Sequence, residues 1–237
     1  MRDDLVLMYH SVEHCELDPF QVTVRPDRFA GQLRWLHRTG RRGVAMRELL
    51  RAREAGTADR LVGLTFDDGY ADFVTEVMPL LAAYGFTATV FVLAGRLGGD
   101  NAWDRPGPRK ALMTADDVRR TADAGMEIGS HGLMHRPLPG ADGPALTAEV
   151  GASRAILRAL SGQDVPGFCY PYGQVGAREV DAVRAAGYEY ACAVGRSTLD
   201  SRYAVPRVFV GDRDGAVRLV AKWLRHRIVA GGARCES

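Results

Sequence analysis

The stretch "LTFDDGYADF" (64–73) sets two carboxylates side by side, Asp67 and Asp68, where an apolar run ends. Neighbouring like charges repel and raise each other's pKa, so a chain that keeps both ionised there needs a counter-charge close by. A second stretch, "SHGLMH" (130–135), carries His131 and His135 four residues apart. One turn of helix between them brings both imidazoles to one face, within reach of a single ion. Two imidazoles and a carboxylate make a set that catalytic zinc takes, with the remaining positions left to water and substrate. Asp68 then gives its charge to the cation, and Asp67 is free to act as a general base. Read alone, each pair has a plainer account: an aspartate after a strand caps the next helix, and a loop histidine is a hydrogen-bonded surface group.

Short apolar runs alternating with amphipathic segments must position these residues. "LVLMYH" (5–10), "RLVGLTF" (60–66), "TATVFVLAG" (87–95), "MEIGS" (126–130), "VPGFCYPYG" (165–173), "YEYACAV" (188–194) and "YAVPRVFV" (203–210) read as strands. Such β-branched and apolar runs suit strands buried on both faces. Between them, 25–40 is a helix with Phe29, Leu33 and Leu36 on one face and Gly40 as its stop, and 46–56 is a second helix. Over 72–85 Asp72 is placed to cap a helix that Pro79 bends, and over 114–125 Thr114 and Asp117 form a capping-box pattern. Helices are also expected over 145–161, 177–187 and 215–228, and the Gly/Pro-rich stretch 96–113 is a loop and a candidate lid. Roughly seven strand–helix units without a strong break predict one barrel-like α/β domain over 1–237, with functional groups at strand ends.

Composition narrows the partners. Lys and Arg total 31 against 29 Asp and Glu, a formal charge of +2, and no basic block tracks a nucleic-acid backbone. The four cysteines are far apart, which favours free thiols over a zinc cluster or disulfide framework. "MRDDLVLMYHSV" lacks the apolar length of a secretory signal, and no run is long enough for a membrane span. A cytoplasmic location without membrane insertion is therefore expected; oligomeric state is not legible.

"TFDDG" (65–69), "SHGLMH" (130–135) and "FCYPYG" (168–173), in that order, resemble the first three motifs of the NodB-like polysaccharide deacetylases, carbohydrate esterase family 4. "LMYHSV" (7–12) is similar to the branch containing the poly-N-acetylglucosamine deacetylases, and the resemblance covers about residues 5–210. It implies a distorted (β/α)7 barrel that hydrolyses the N-acetyl amide of an amino sugar. It further implies that Asp68, His131 and His135 bind a divalent metal, with Asp67 as the base. Zinc suits the ligand set, and cobalt, nickel, manganese or iron also fit it. The backbone N–H of Tyr172 is the implied oxyanion donor, in a turn where Tyr170, Pro171 and Gly173 are expected to border the substrate.

The chain departs from the family pattern in two places. An arginine that orients the base aspartate belongs just before the third motif's proline, where this chain has Cys169 and Tyr170. Arg207 in "VPRVFV" is placed to supply that charge from a late strand, or else to form a surface ion pair. The family's late histidine, the general acid, has no clear match, because only His226 in the terminal helix follows His135. His10 is the alternative candidate for protonating the amine; the plainer reading packs it at the barrel rim. The expected substrate is a small cytoplasmic N-acetylated glycoside or biosynthetic intermediate. Hydrolysis of a cyclic imide or ureide, or sugar binding without catalysis, are the other readings.

Overall fold

The computed structural model describes residues 5–194, 199 and 202–232, with side chains described as far as Arg225. Cys235 lies outside the described residues, and of His226 only the backbone is described. Along the chain come β1 (Leu5–Tyr9), β2 (Ser11–Val12), β3 (Thr23–Val24), α1 (Pro26–Arg38), β4 (Arg42–Val44), α2 (Met46–Glu54), β5 (Leu61–Phe66) and α3 (Met78–Ala82). There follow β6 (Thr89–Val92), α4 (Ala115–Asp123), β7 (Glu127–Ser130), α5 (Gly143–Thr147), α6 (Ser153–Ser161), β8 (Gly167–Cys169), α7 (Ala177–Ala185), β9 (Tyr190–Cys192), β10 (Val208–Phe209) and α8 (Ala216–Gly232).

The main sheet is parallel throughout, in the order β10-β1-β5-β6-β7-β8-β9, with β4 on the first half of β5. It curls because the last segment pairs at both ends: Val205 bonds to Ala191 and Ala193 beside β9, and Val208 pairs with Leu7 of β1. Alternate strand residues face opposite ways. Leu5, Leu7 and Tyr9 join the layer under the helices with Phe29, Leu33 and Leu36 of α1, whereas Val6, Phe91, Cys169, Tyr190 and Cys192 form a second cluster with α2. Asp67 continues the face of Thr65, so the polar end of this inner layer opens at the strand ends.

Local expectations meet the structure unevenly. The capping box of α4 forms: Thr114 Oγ1 accepts from Asp117 N at 3.1 Å and the Asp117 carboxylate accepts from Thr114 N at 2.9 Å. Asp72 does not cap; its carboxylate accepts from Ser11 Oγ at 2.6 Å and from Val12 N at 3.0 Å, stitching β2 to the segment after β5. Burial pushes the Asp72 carboxyl up to about 6, against the pull of those two hydrogen bonds. A π-helical turn (Phe73–Val77) runs directly into α3, and Pro79 stands in the first turn after that join. The helix expected over 145–161 begins at Gly143 and is interrupted by a π-helical turn, Ala148–Ala152.

One of the chain's two lysines fastens the loop between β6 and α4. The buried Lys110 ammonium donates to Ser11 Oγ at 2.9 Å and to Thr23 Oγ1, and pairs with Glu13 at 2.9 Å. Asn101 braces the same loop, accepting from Lys110 N at 2.8 Å and donating to Pro108 O at 3.1 Å. Residues 96–113 are thereby tied to the barrel rim rather than left as a free flap. A hydrogen bond to a charged group contributes roughly 1.5–3 kcal/mol. Lys110→Met should therefore lower the free energy of unfolding by about 2–3 kcal/mol in urea titration; a loss under about 0.5 kcal/mol would show that the ammonium is not what holds the loop.

Candidate active site

Asp67 extends the β1–β5 pairing by one bond, its N–H donating to Tyr9 O at 2.9 Å. The chain then turns through two left-handed residues, Asp68 at φ +71° and Gly69 at φ +68°. Aspartate tolerates that conformation better than most side chains. After this turn the two carboxylates have separate surroundings.

Asp67 faces Arg207. The guanidinium donates Nη1 to Oδ1 at 2.6 Å and Nη2 to Oδ2 at 2.7 Å, a bidentate pair in which the arginine side chain is fully buried. Its remaining donors reach Ala193 O at 3.1 Å, Thr65 Oγ1 at 3.1 Å and Cys169 Sγ at 3.0 Å. Arg207 is thus no surface ion pair. Burial raises the Asp67 carboxyl, but Arg207's charge and hydrogen bonds outweigh it and hold the group below the usual carboxylate range. Burial pushes the Cys169 thiol well above its usual range, so it stays protonated and donates to Asp67 Oδ2 at 3.5 Å.

Asp68 faces the histidines. Its Oδ1 lies 3.3 Å from Nε2 of both His131 and His135, and all three side chains are buried. These three ligand atoms lie within 4.8 Å of one another, and among the described residues Asp68 Oδ1 has no hydrogen-bond donor. A buried carboxylate oxygen without a donor is costly, and two imidazole nitrogens converging on it leave a place suited to a cation. His131 Nδ1 lies 2.8 Å from Cys169 O, which can only accept, so Nδ1 carries a proton and Nε2 is the nitrogen turned toward Asp68. The residues therefore fit a divalent metal. A second trio, Asp67, His131 and Cys169, also clusters, but Arg207 already lies against two of its members and would repel an ion there.

The histidine spacing works differently from a helical turn. Residues 131–135 run as a loop, with Gly132 at φ +83° and His135 at φ +58°. Ala94 N and Gly95 N donate to Gly132 O and Leu133 O, both at 3.0 Å, so the loop prolongs the β6–β7 pairing. From the other side the buried Glu149 accepts from Leu133 N at 2.6 Å and Met134 N at 3.2 Å. No local pattern marks Glu149, because its partners lie 15 and 16 residues away.

The remaining candidates divide. His10 stands beside Asp67, Nε2 to Oδ2 at 4.0 Å, with its ring 6.1 Å from Phe209. Tyr172, at φ +59°, is half exposed and lays its ring 4.5 Å from that of His135. Tyr170 does not border the site as expected: it is buried, its ring 5.3 Å from Phe168 and its hydroxyl donating to Tyr203 O at 3.0 Å. Pro171 is buried, and Gly173, at φ +67°, is a packing requirement, since an added Cβ would come within 2.4 Å of Val194 Cγ2. Trp103, unmarked within its loop, stacks on His135 with centroids 4.5 Å apart. A cavity of about 720 Å³ lined by Arg47, Glu127 and Gln163 lies at the opposite, N-terminal ends of β6–β8 and holds none of these groups.

A sequence model of the polysaccharide deacetylase family matches residues 54–191, which include both aspartates, both histidines and the 170–173 turn. YxkH of Bacillus subtilis, which carries a polysaccharide deacetylase name, is 26% identical over 186 residues, 78% of this chain and 62% of its own length. This chain therefore spans less than two thirds of that relative. The poly-β-1,6-N-acetyl-D-glucosamine N-deacetylase of Staphylococcus aureus is 21% identical over 214 residues, covering 85% of this chain and 72% of the relative. Among solved structures, the Streptococcus pyogenes deacetylase PplD in complex with acetate superposes with a TM-score of 0.78 at 22% identity, over 92% of this chain and 97% of that one. That likeness supports the fold.

The Asp67–Arg207 pair has a definite pH signature. Asp67 titrates lower in the folded protein than in the unfolded chain, so its stabilisation is complete at neutral pH and disappears as pH falls through the lowered folded value. Without Arg207, burial is opposed only by the smaller attractions of His10 and His131, and the order is expected to reverse. Removing one partner of a buried pair costs roughly 3–5 kcal/mol. Arg207→Met in chelator should lose about that much stability at pH 7 and clearly less at pH 5, where the buried carboxyl takes up a proton. An equal deficit at both pH values would mean that Asp67 is not the group Arg207 holds ionised.

Proposed function

Because the chain belongs to the polysaccharide deacetylase family, we propose that it is a metal-dependent hydrolase that removes an N-acetyl group from an amino sugar. The observation carrying this reading is the convergence of Asp68 Oδ1 and the two imidazole Nε2 atoms next to an aspartate that an arginine already holds in place. Relatives named for N-deacetylation of poly-β-1,6-N-acetyl-D-glucosamine point to the same bond.

Asp68, His131 and His135 would hold the ion, and zinc best suits two nitrogens and one carboxylate. When bound, a divalent ion supplies Lewis acidity that polarises an amide carbonyl and makes water acidic enough to react at neutral pH. Asp67 accepts the proton of the attacking water, and Arg207 keeps it ionised and fixes the direction of its lone pairs. The new C–O bond forms as the carbonyl electrons move onto oxygen, which the Tyr172 N–H stabilises. Collapse of that centre breaks the C–N bond and releases acetate. The leaving nitrogen takes a proton from the side where His10 stands, near enough to Asp67 for the two to exchange it through one water. Cys169 belongs to this arrangement as the small residue that leaves room for the Arg207 guanidinium.

The test is acetate release from a panel of small N-acetylated amino-sugar glycosides, oligomers of β-1,6-linked N-acetylglucosamine and chitin, with a cyclic imide and a ureide as controls. Lewis-acid stabilisation is worth several kcal/mol, so chelation should cut acetate release at least about 100-fold and zinc should restore it. Small glycosides turned over faster than either oligomer would bear out the small-glycoside substrate expected from the sequence; the reverse order assigns the polymer. No acetate from any sugar with metal supplied, or a rate indifferent to chelation, would overturn the proposal.

A further inference from the structure

The two histidines are oriented by different means. His131 has the usual arrangement of a metal-binding imidazole, its second nitrogen fixed on a carbonyl, Cys169 O at 2.8 Å. His135 lacks this: its buried Nδ1 has no hydrogen-bond partner among the described residues, and its backbone stands at φ +58°. Apart from the 3.3 Å approach of its Nε2 to Asp68 itself, no hydrogen bond among the described residues fixes the direction of that ring.

Aromatic surfaces do. The Trp103 ring lies against His135 with centroids 4.5 Å apart and planes 29° from parallel, and the Tyr172 ring also approaches it, at 4.5 Å and 58°. Arg96 lies over the Trp103 ring at 5.2 Å. The same arginine donates Nε to Met134 O at 3.2 Å, the residue just before His135. Arginine, tryptophan and histidine thus form a closed circuit joining the 96–113 loop to the 131–135 loop. Trp103 also packs with Tyr70, Leu93 and Leu112, whereas Tyr172 is half exposed. Of the two aromatic walls, Trp103 is the fixed one.

We propose that Trp103 is a positioning residue for His135, holding the imidazole by stacking where His131 is held by a hydrogen bond. The proposal rests on the metal site of the reading above. Loss of a group that orients a metal ligand typically weakens metal binding 10- to 100-fold. Its removal should act on metal affinity and ligand geometry first, and on rate only through them.

The experiment is titration of the metal-free protein with zinc against a chromophoric chelator, with the visible spectrum of the cobalt-loaded protein as a second readout. Trp103→Ala should bind zinc about 10- to 100-fold more weakly with an altered cobalt spectrum, and Trp103→Phe, which keeps a ring at the contact, should stay within about threefold of wild type. Arg96→Gln, which leaves the tryptophan in place, should fall between the two. Circular dichroism melting of each metal-free variant separates this from misfolding; if Trp103→Ala does not fold, the phenylalanine and glutamine variants decide, and wild-type affinity in Arg96→Gln overturns the circuit. Wild-type zinc affinity and cobalt spectrum in a folded Trp103→Ala would overturn the proposal while leaving the metal site intact. Failure of the wild-type protein to bind one equivalent of zinc would overturn both.

Discussion

The bidentate contact between Arg207 and Asp67 is the constraint on which the mouth of the barrel depends. Two adjacent buried carboxylates are tolerable only if each has its own counter-charge, and the chain supplies one. Arg207 meets Asp67 and brings no charge to Asp68. With neutral imidazoles the cluster of Asp67, Asp68 and Arg207 keeps one negative charge, centred on Asp68, whose buried Oδ1 lacks a donor among the described residues. The electrostatics of the doublet therefore call for a cation from outside, at the place where two imidazole nitrogens already point.

The curled parallel sheet makes this arrangement possible by bringing distant strand ends together. Asp67 and Asp68 follow β5, His131 follows β7, Cys169 ends β8, and Arg207 lies between the residue that pairs with β9 and the strand that pairs with β1. That last position is also where the sheet's two edges meet. An arginine there reaches inward across the end of β8, and the thiol of Cys169 leaves room for it at 3.0 Å. A larger side chain at 169 would compete for the volume that the guanidinium fills, so the unusual residue of the third motif and the late arginine are one structural solution.

Much of this was legible in the sequence, for physical reasons. Strands buried on both faces read as apolar runs, and β1, β5, β6 and β7 lie where those runs are. The capping box of α4 and the apolar stripe of α1 are local and periodic, so they survive folding unchanged. Asp67 and Asp68 were visible as a doublet because both sit in one short segment. What failed depended on distant partners. The histidine spacing suggested a helical turn, yet the segment is held as a loop by Ala94, Gly95 and Glu149, none of them near it in the chain. Asp72 looked like a cap and instead bonds to β2. Tyr170 looked like a rim residue, but strand alternation turns it into the layer beneath the helices. Arg207 had two readings at the level of sequence, and its burial excludes the surface one. Trp103 and Lys110 gave no signal, because a Gly/Pro-rich loop shows its turns and conceals its anchors.

The central claim is that the doublet divides its work, Asp68 toward a metal and Asp67 toward a proton. Direct measurement of bound metal in Asp67→Asn and Asp68→Asn, alongside acetate release, tests it most sharply. The account predicts that Asp67→Asn retains one equivalent of metal with turnover reduced by at least about 100-fold, and that Asp68→Asn loses both. Equal metal loss in the two variants, or full turnover in Asp67→Asn, would contradict it.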